Sequence, residues 1–308
     1  MYKYELIIGV PLKIDNKNID QLATVTNEFT LTKNQIVFDI KKNNATSANS
    51  GSIIIINAPR EMANLLTEQQ GQRSLIELKA GFTTDPELPE IFRGVVENAT
   101  EEKQGVDYRL TLKLSDGGSN KREFTSKRTY PTGTSIDVVL RDLIGDAGLA
   151  RGPIYEIREE LKAPLSISGN TYTNIVKIAE KYGINFSTQS GTAYLVPGNA
   201  ATEAQVVQIN ADTGMVGSPA LGSNPANLSG DGTVPKQGIV VTSILNGNII
   251  PENYVEIVSE NVNGLYKVEE VHHSGNYEGS VWFSKVTCKP TDFTIQNYVV
   301  KVPYRIGG

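Results

Sequence analysis

The side chains with the most chemistry to offer are two histidines, three adjacent pairs of carboxylates, one cysteine and one tryptophan. His272 and His273 are the only histidines. Neighbouring residues on a strand point to opposite faces, so the two imidazoles do not converge on one metal ion. One is expected to be buried and hydrogen-bonded and the other exposed; a metal shared between symmetry-related copies is the competing reading. The carboxylate pairs are Glu101-Glu102, Glu159-Glu160 and Glu269-Glu270. A glycosidase needs two carboxylates facing each other across a bond, ~5–9 Å apart. Sequence neighbours on a strand do not give that geometry, so these pairs read as solvated turns and edges. A pair assembled from distant Asp and Glu is not legible from sequence.

Trp282, Tyr266 and Tyr277 have the types of a sugar-stacking platform, but Trp282 falls in phase with Val286 and Cys288, which favours core packing. Cys288 then reads as a small buried apolar residue, not a nucleophile. Asp116-Gly117-Gly118 reads as a tight turn, not a metal loop. The chain holds no G-x-S-x-G elbow, no Gly-Lys phosphate loop and no G-x-G-x-x-G. No catalytic, cofactor-binding or metal-binding residue is therefore assigned, and the expectation is a protein that is not an enzyme and has no cofactor.

The elements around these residues are mainly strands. At 308 residues the chain can bury a large core in two or three domains. Lys+Arg total 29 against 34 Asp+Glu, a net charge of −5, which argues against nonspecific grip on phosphate backbones or anionic lipid. One cysteine excludes an internal disulfide or a cysteine zinc cluster. No apolar run reaches the ~20 residues of a membrane-spanning helix, and the start is not read as a signal peptide; cytosolic synthesis is expected.

The first 128 residues alternate with period two. Ile36, Phe38 and Ile40 share a face, as do Tyr108, Leu110, Leu112 and Leu114. The continuous run Gly51 to Ala58 predicts a strand covered on both sides. A short helix follows, with Asn57 as its cap, Pro59 in its first turn, and Met62, Leu65 and Leu66 on one face. Ile76, Leu78, Ala80 and Phe82 then alternate again. The order suggests a small barrel or strongly curved sheet with one helix across it.

The period changes over 129–205. Ser135 caps a helix with Ile136, Val139, Leu140, Leu143 and Ile144 on one face, ended by Gly145 or Gly148. A second helix carries Tyr172, Ile175, Val176, Ala179 and Tyr182 and stops at Gly183. Ile184 to Pro197 reads as a hairpin turning at Ser190-Gly191. Strands return over 206–308, at Ile239 to Leu245, Val255 to Val258, Gly264 to Val271 and Ser280 to Lys289. The third breaks phase at Glu269-Glu270, which predicts a bulge. Before them, Ala211 to Pro235 has the composition of a long loop that is functional or reaches a neighbouring subunit. The tail after Asp292 is read as an added edge or swapped strand.

Two phrases, Ile91 to Gly118 and Tyr254 to Pro290, are similar: strand, polar turn, strand. They point to a scaffold of two β-domains in one chain. Together the segments give an α+β class, mainly β: a first β-domain (1–128), a helical α/β insertion (129–205) and a second β-domain (206–308).

Phe92-Arg93-Gly94, then Gly105-Val106-Asp107-Tyr108 and Ser115-Asp116-Gly117, resemble the central hub protein of phage tails. That family includes late-control protein D and the hub part of type VI secretion spike proteins. Thr213-Gly214-Met215-Val216-Gly217-Ser218-Pro219 is similar to the family's loop before its second barrel. Gly264-Leu265-Tyr266-Lys267-Val268, His272 or His273, Ser274-Gly275-Asn276 and Trp282 are similar to its closing hairpin.

The resemblance implies two similar small β-barrel, tube-like domains per chain and a homotrimeric ring of six such units. It implies a symmetry adaptor in the virion's tail baseplate, joining a sixfold tail tube to a threefold spike around a channel for DNA and tape-measure protein. The implied partners are other copies of itself, a tail tube or distal tube protein, the spike and the tape-measure protein, with passive contact to translocating DNA. The alternatives are another tail-tip component (a distal ring or tube initiator), or a module that binds or hydrolyses cell-wall carbohydrate.

Overall fold

The computed structural model describes residues 1–11, 25–44, 49–68, 74–116, 124–152, 157–197, 205–221, 238–290 and 299–301. Its front part runs β1 (Tyr2–Pro11), β2 (Val25–Leu31), β3 (Ile36–Asn43), β4 (Ser50–Ile56), α1 (Arg60–Glu68), β5 (Ser74–Phe82), β6 (Glu90–Gln104) and β7 (Asp107–Ser115). The alternation seen in sequence becomes burial. Ile36, Phe38 and Ile40 of β3 face the core, as do Leu110, Leu112 and Leu114 of β7. In β4 only Ile53 and Ile55 are fully buried, while Ile54 and Ile56 are half-buried. The expected two-sided cover of Gly51 to Ala58 is thus corrected: an all-isoleucine run hides which face meets solvent.

Helix α1 buries Met62, Ala63 and Leu66. Leu65 is only half-buried. Asn57 does not cap it. That residue adopts φ +50°, and its side chain pairs instead with the β6–β7 hairpin, donating to Asp107 Oδ1 (2.8 Å) and accepting from the Tyr108 N–H (3.0 Å).

The middle part holds β8 (Thr125–Tyr130), α2 (Ile136–Asp146), β9 (Ala150–Arg151), β10 (Leu165–Asn170), α3 (Thr171–Lys181), β11 (Ile184–Gln189) and β12 (Thr192–Pro197). Ser135 caps α2 by accepting from the Asp137 N–H, and the five apolar residues predicted for its inner face are the five buried. Gly148 ends it at φ +64°. Asn170 caps α3, which Gly183 ends at φ +64°. The β11–β12 hairpin turns at Ser190 (φ +51°) and Gly191 (φ +79°), the double positive φ of a type I′ turn. The two helices and their strands enclose their own core around Leu140, Ile175 and Phe186.

The back part is β13 (Gln205–Ile209), β14 (Met215–Leu221), β15 (Ile239–Ile244), β16 (Tyr254–Val258), β17 (Asn263–Asn276), β18 (Trp282–Pro290) and β19 (Val299–Lys301). Met215–Leu221 is a strand, which corrects the loop expected over Ala211 to Pro235; the segment 222–237 lies outside the described residues. β19 pairs with β13 as an edge strand of the same chain.

The observed class is α+β, mainly β. Front and back parts share one 14-stranded sheet, ordered β14-β15-β18-β17-β3-β4-β7-β6-β5-β1-β2, with β16, β13 and β19 branching from β17. No closed barrel forms among the described residues; the path ends at β2 and β14. Each part contributes a repeated order. The run β3-β4-β7-β6-β5-β1 in front is matched by β14-β15-β18-β17-β16-β13 at the back. The copies differ at one pairing, since β1–β5 is antiparallel and β13–β16 parallel.

The two long strands match in detail. β6 pairs with β5 along its first half and is bulged at Glu97; β17 pairs with β16 along its first half and is bulged at Glu269. The predicted Glu269-Glu270 irregularity is therefore observed. Beyond its bulge β17 changes partner: Glu270–Asn276 take β3 on the edge that β16 occupied. One strand thus joins the two halves by continuous backbone hydrogen bonds.

Trp282 completes the join. It belongs to the back part but is 1% exposed inside the front core, stacked on Tyr2 (4.7 Å) and edge-on to Phe38 (5.2 Å), with its indole N–H donating to the Gly81 carbonyl (3.0 Å). A Cβ on Gly275, directly across the ladder, would overlap the Phe38 ring. Trp282→Ala is expected to cost about 3–5 kcal/mol through the cavity it leaves. Gly275→Ala should cost about 1–3 kcal/mol by overpacking. Chemical denaturation measures both; an unchanged midpoint for Trp282→Ala contradicts this packing.

Candidate functional site: the junction and the open sheet edges

Polar groups concentrate where the three parts meet. Asp116, at the end of β7, accepts from the Asn49 main-chain N–H (2.8 Å), the Asn49 side-chain amide (2.6 Å) and the Ser190 N–H (3.3 Å). The same Asn49 amide reaches Gln189 Oε1 (2.8 Å), and Gln189 donates onward to the Asn43 carbonyl (2.9 Å). Asn49 Oδ1 accepts from the Asn43 N–H (2.8 Å). Asn49, Asp116 and Gln189 are all buried, so this network staples the β11–β12 hairpin onto β3, β4 and β7.

A second cluster ties the front to the back. Lys267 and Glu252 form a buried ion pair at 2.5 Å, and Asn44 donates to the other Glu252 oxygen at 2.8 Å. Between the clusters lies a cavity of about 370 Å³, lined by Lys42, Glu90, Arg93, Gln189, Tyr194 and Asn253 among others. Arg93 Nε sits 3.1 Å from Glu90. Lys42 is 3% exposed; its main chain lies in the β3–β17 ladder, and its ammonium feels the charges of Glu90 and Asp116. Burial pulls its pKa down, against the attraction of Glu90 and Asp116. It continues the core-facing register of Ile36, Phe38 and Ile40.

The residues singled out in sequence do not converge. His273 is fully buried, with Nδ1 2.9 Å from Ser284 Oγ. That oxygen already accepts the Asn246 N–H (2.9 Å), so the Ser284 hydroxyl proton is free to donate to a neutral imidazole. Burial first, and Lys42 second, hold the His273 pKa well below the usual histidine range. His272 lies on the opposite face, 2.8 Å from Asp39. The histidines diverge as expected, and no cluster of three metal-capable side chains occurs among the described residues.

Carboxylates of two of the three pairs lie in ion pairs, and the third pair is held through its main chain. Glu101 pairs with Arg60 (2.8 Å), Glu270 with Lys41 (3.2 Å) and Glu269 with Lys289 (3.1 Å). The Glu159 carbonyl accepts the first N–H of α2 (2.9 Å), and Glu160 bridges to Ser135. Trp282 is not a sugar platform, because its faces are covered. Tyr277 meets Tyr4 edge-on (4.8 Å), and Tyr266 packs on the back core. Cys288 is buried and its thiol pKa is pushed up by desolvation. Asp116 proved to be a network centre; Gly117 and Gly118 lie outside the described residues.

Three glycines of the resemblance serve backbone geometry. A Cβ on Gly94 would overlap the Ser115 carbonyl, and Gly105 turns the β6–β7 hairpin at φ +66°. Gly214 takes φ +97° at the entry to β14. Among the open strand edges of the described residues are β6 over Asn98–Gln104, which pairs only with β7, and the outer side of β14. Exposed apolar side chains sit on both: Val106 and Tyr108 at the β6–β7 hairpin, and Val216 on β14.

No known family profile matches this chain, and no curated protein matches it in sequence. Solved structures do match. The 43 kDa tail protein of prophage MuSo2 from Shewanella oneidensis aligns at TM-score 0.61 and 7% identity, over 92% of this chain and 98% of that one. The tail protein from Neisseria meningitidis MC58 aligns at TM-score 0.62 and 9% identity, over 96% and 99%. A chain of the Francisella PdpA–VgrG complex aligns at TM-score 0.62 and 9% identity, over all of this chain and 60% of that one. The chain thus has the fold of phage tail proteins and of type VI spike-hub proteins.

His273 makes the junction acid-sensitive. A group whose folded pKa is depressed favours unfolding on protonation. Its stabilisation is full above the unfolded pKa of ~6.5 and falls by about 1.4 kcal/mol per pH unit below that, down to the folded pKa. Thermal melts between pH 7.5 and 5 should show a falling midpoint in the wild type and a flatter profile in His273→Gln. Parallel profiles would contradict a buried neutral imidazole.

Proposed function

We propose that this protein is the structural hub of a phage tail baseplate: a homotrimeric ring that joins a sixfold tail tube to a threefold spike and encloses the channel for DNA and tape-measure protein. The single observation that carries the reading is the repeated strand order within one chain. Two like strand runs per chain give six per trimer, which is what a sixfold neighbour can dock on, while the three middle parts keep threefold symmetry. The fold shared with phage tail proteins and a VgrG complex supports the setting, and the sequence resemblance supports the hub.

In this reading the chain divides at 1–128, 129–205 and 206–308, and it acts in the virion after synthesis in the host cytoplasm. Its partners are two further copies, the tube or distal tube protein, the spike and the tape-measure protein. Three copies carry a net charge of −15, which suits a channel that lets DNA pass without gripping it. Paired carboxylates, a buried neutral histidine and a covered tryptophan are structural elements, in keeping with a role that is not enzymatic.

Mass measurement tests this. Three copies of 33.5 kDa give an assembly of about 100 kDa, alone or when nucleated by spike or tube protein. A chain that stays at monomer mass with both partners present contradicts the hub.

A further inference from the structure

The join inside one chain offers a template for a join between chains. Superposing the two strand runs through their bulges, Glu97 on Glu269, matches Asn98–Gln104 of β6 to Glu270–Asn276 of β17. The ladders agree throughout: Val96 opposite Leu114 corresponds to Val268 opposite Cys288, and Lys103 opposite Tyr108 corresponds to Gly275 opposite Trp282. Along β17 this edge is filled by β3 of the front part. Along β6 the corresponding edge has no strand partner among the described residues. The counterpart of β3 is β14, whose outer side likewise has no strand partner among the described residues.

We propose that the Asn98–Gln104 edge of β6 takes β14 of the next copy, antiparallel, as β17 takes β3. This rests on the hub reading and assigns its subunit contact. The register follows by correspondence. Met215 and Val216 stand opposite Ser243 and Thr242 as Ile36 and Val37 stand opposite Ile55 and Ile54. Past the irregularity at Gly217–Pro219, Ala220 and Leu221 take the places of Asp39 and Ile40. Asn276 faces Val37, Ser274 faces Asp39 and His273 faces Ile40 within the chain. Between chains, Gln104 therefore faces Val216, Glu102 faces Ala220 and Glu101 faces Leu221.

A second observation points the same way. Trp282 is buried because the front part covers it, whereas Tyr108, its counterpart on β7, is 38% exposed. Arg60 lies over the Tyr108 ring at 4.9 Å and Lys103 at 5.7 Å, a cationic cover that a neighbouring chain can replace or press down. Val106 at the same hairpin is 89% exposed and Val216 on β14 is 41% exposed. Three of the exposed large apolar side chains, Val106, Tyr108 and Val216, thus lie on the two surfaces that the correspondence brings together. Pro219 withholds one donor from the β14 edge, which shortens the ladder and guards the free chain against indiscriminate strand pairing.

Full-length protein carrying Val216→Cys and Gln104→Cys tests the contact under mild oxidation; native Cys288 is buried and stays silent. The expected result is a ladder ending at covalent trimer on non-reducing gels, reversed by reductant and absent with Val258→Cys and Gln104→Cys. Tyr108→Asp should weaken assembly at least tenfold with the melting temperature of the free chain unchanged. Trimers by mass that do not cross-link through Val216 and Gln104 overturn this contact and leave the hub standing. A chain that is monomeric and uncross-linked with tube and spike partners present overturns both.

Discussion

The structure depends on one change of partner. Strand β17 hydrogen-bonds β16 up to Lys267, bulges at Glu269, and hydrogen-bonds β3 from Glu270 onward. Without the extra residue the edge would run past β16 into solvent. With it, the strand twists and offers its second half to the front part. Backbone pairing alone would leave the two halves joined by a flexible ribbon. Trp282 makes the joint rigid by placing a large ring of one half among Tyr2 and Phe38 of the other.

Around this joint the protein accepts an expensive kind of interior. Asp116, Asn49, Gln189, Lys42, His273 and the Lys267–Glu252 pair are all buried within a short reach of the three-way meeting point. Buried polar groups are costly unless satisfied, and when satisfied they specify one arrangement over its neighbours. An apolar seam would hold these parts at many angles. A network in which Asp116 takes two donors from Asn49 and one from the Ser190 turn holds them at one. That suits the proposed task of presenting two like strand runs in fixed register.

Much of this was legible in the residues, and the limits have physical causes. Helix α2 followed its 3.6-residue period because five apolar positions face one core. The Glu269 bulge showed as a phase break, and the divergence of His272 and His273 followed from strand geometry alone. The β4 run of isoleucines misled, since four identical side chains carry no phase. Strand β14 was hidden by Gly217 and Pro219, which belong to an irregular edge as readily as to a loop. Asn57 has the type of a helix cap but was claimed by a hairpin distant in sequence. The junction network was not legible: its members come from four segments, and only tertiary structure brings them together. One signal was available, in that Lys42 falls in phase with Ile36, Phe38 and Ile40, and a lysine on a core face announces a special environment. The repeated strand order was foreshadowed only by the two similar phrases, because pairing across long sequence separations leaves little local trace.

The central claim is that the front and back sheets are quasi-equivalent units set around one axis by the β17–β3 joint. A cryo-EM reconstruction of the assembled tail tip, computed without imposed symmetry, tests it most directly. The account predicts three chains whose six sheets lie at one radius, about 60° apart, around an open channel, with threefold protrusions from the helical parts. Front and back sheets at different radii, or only one of the two reaching the tube, would contradict it.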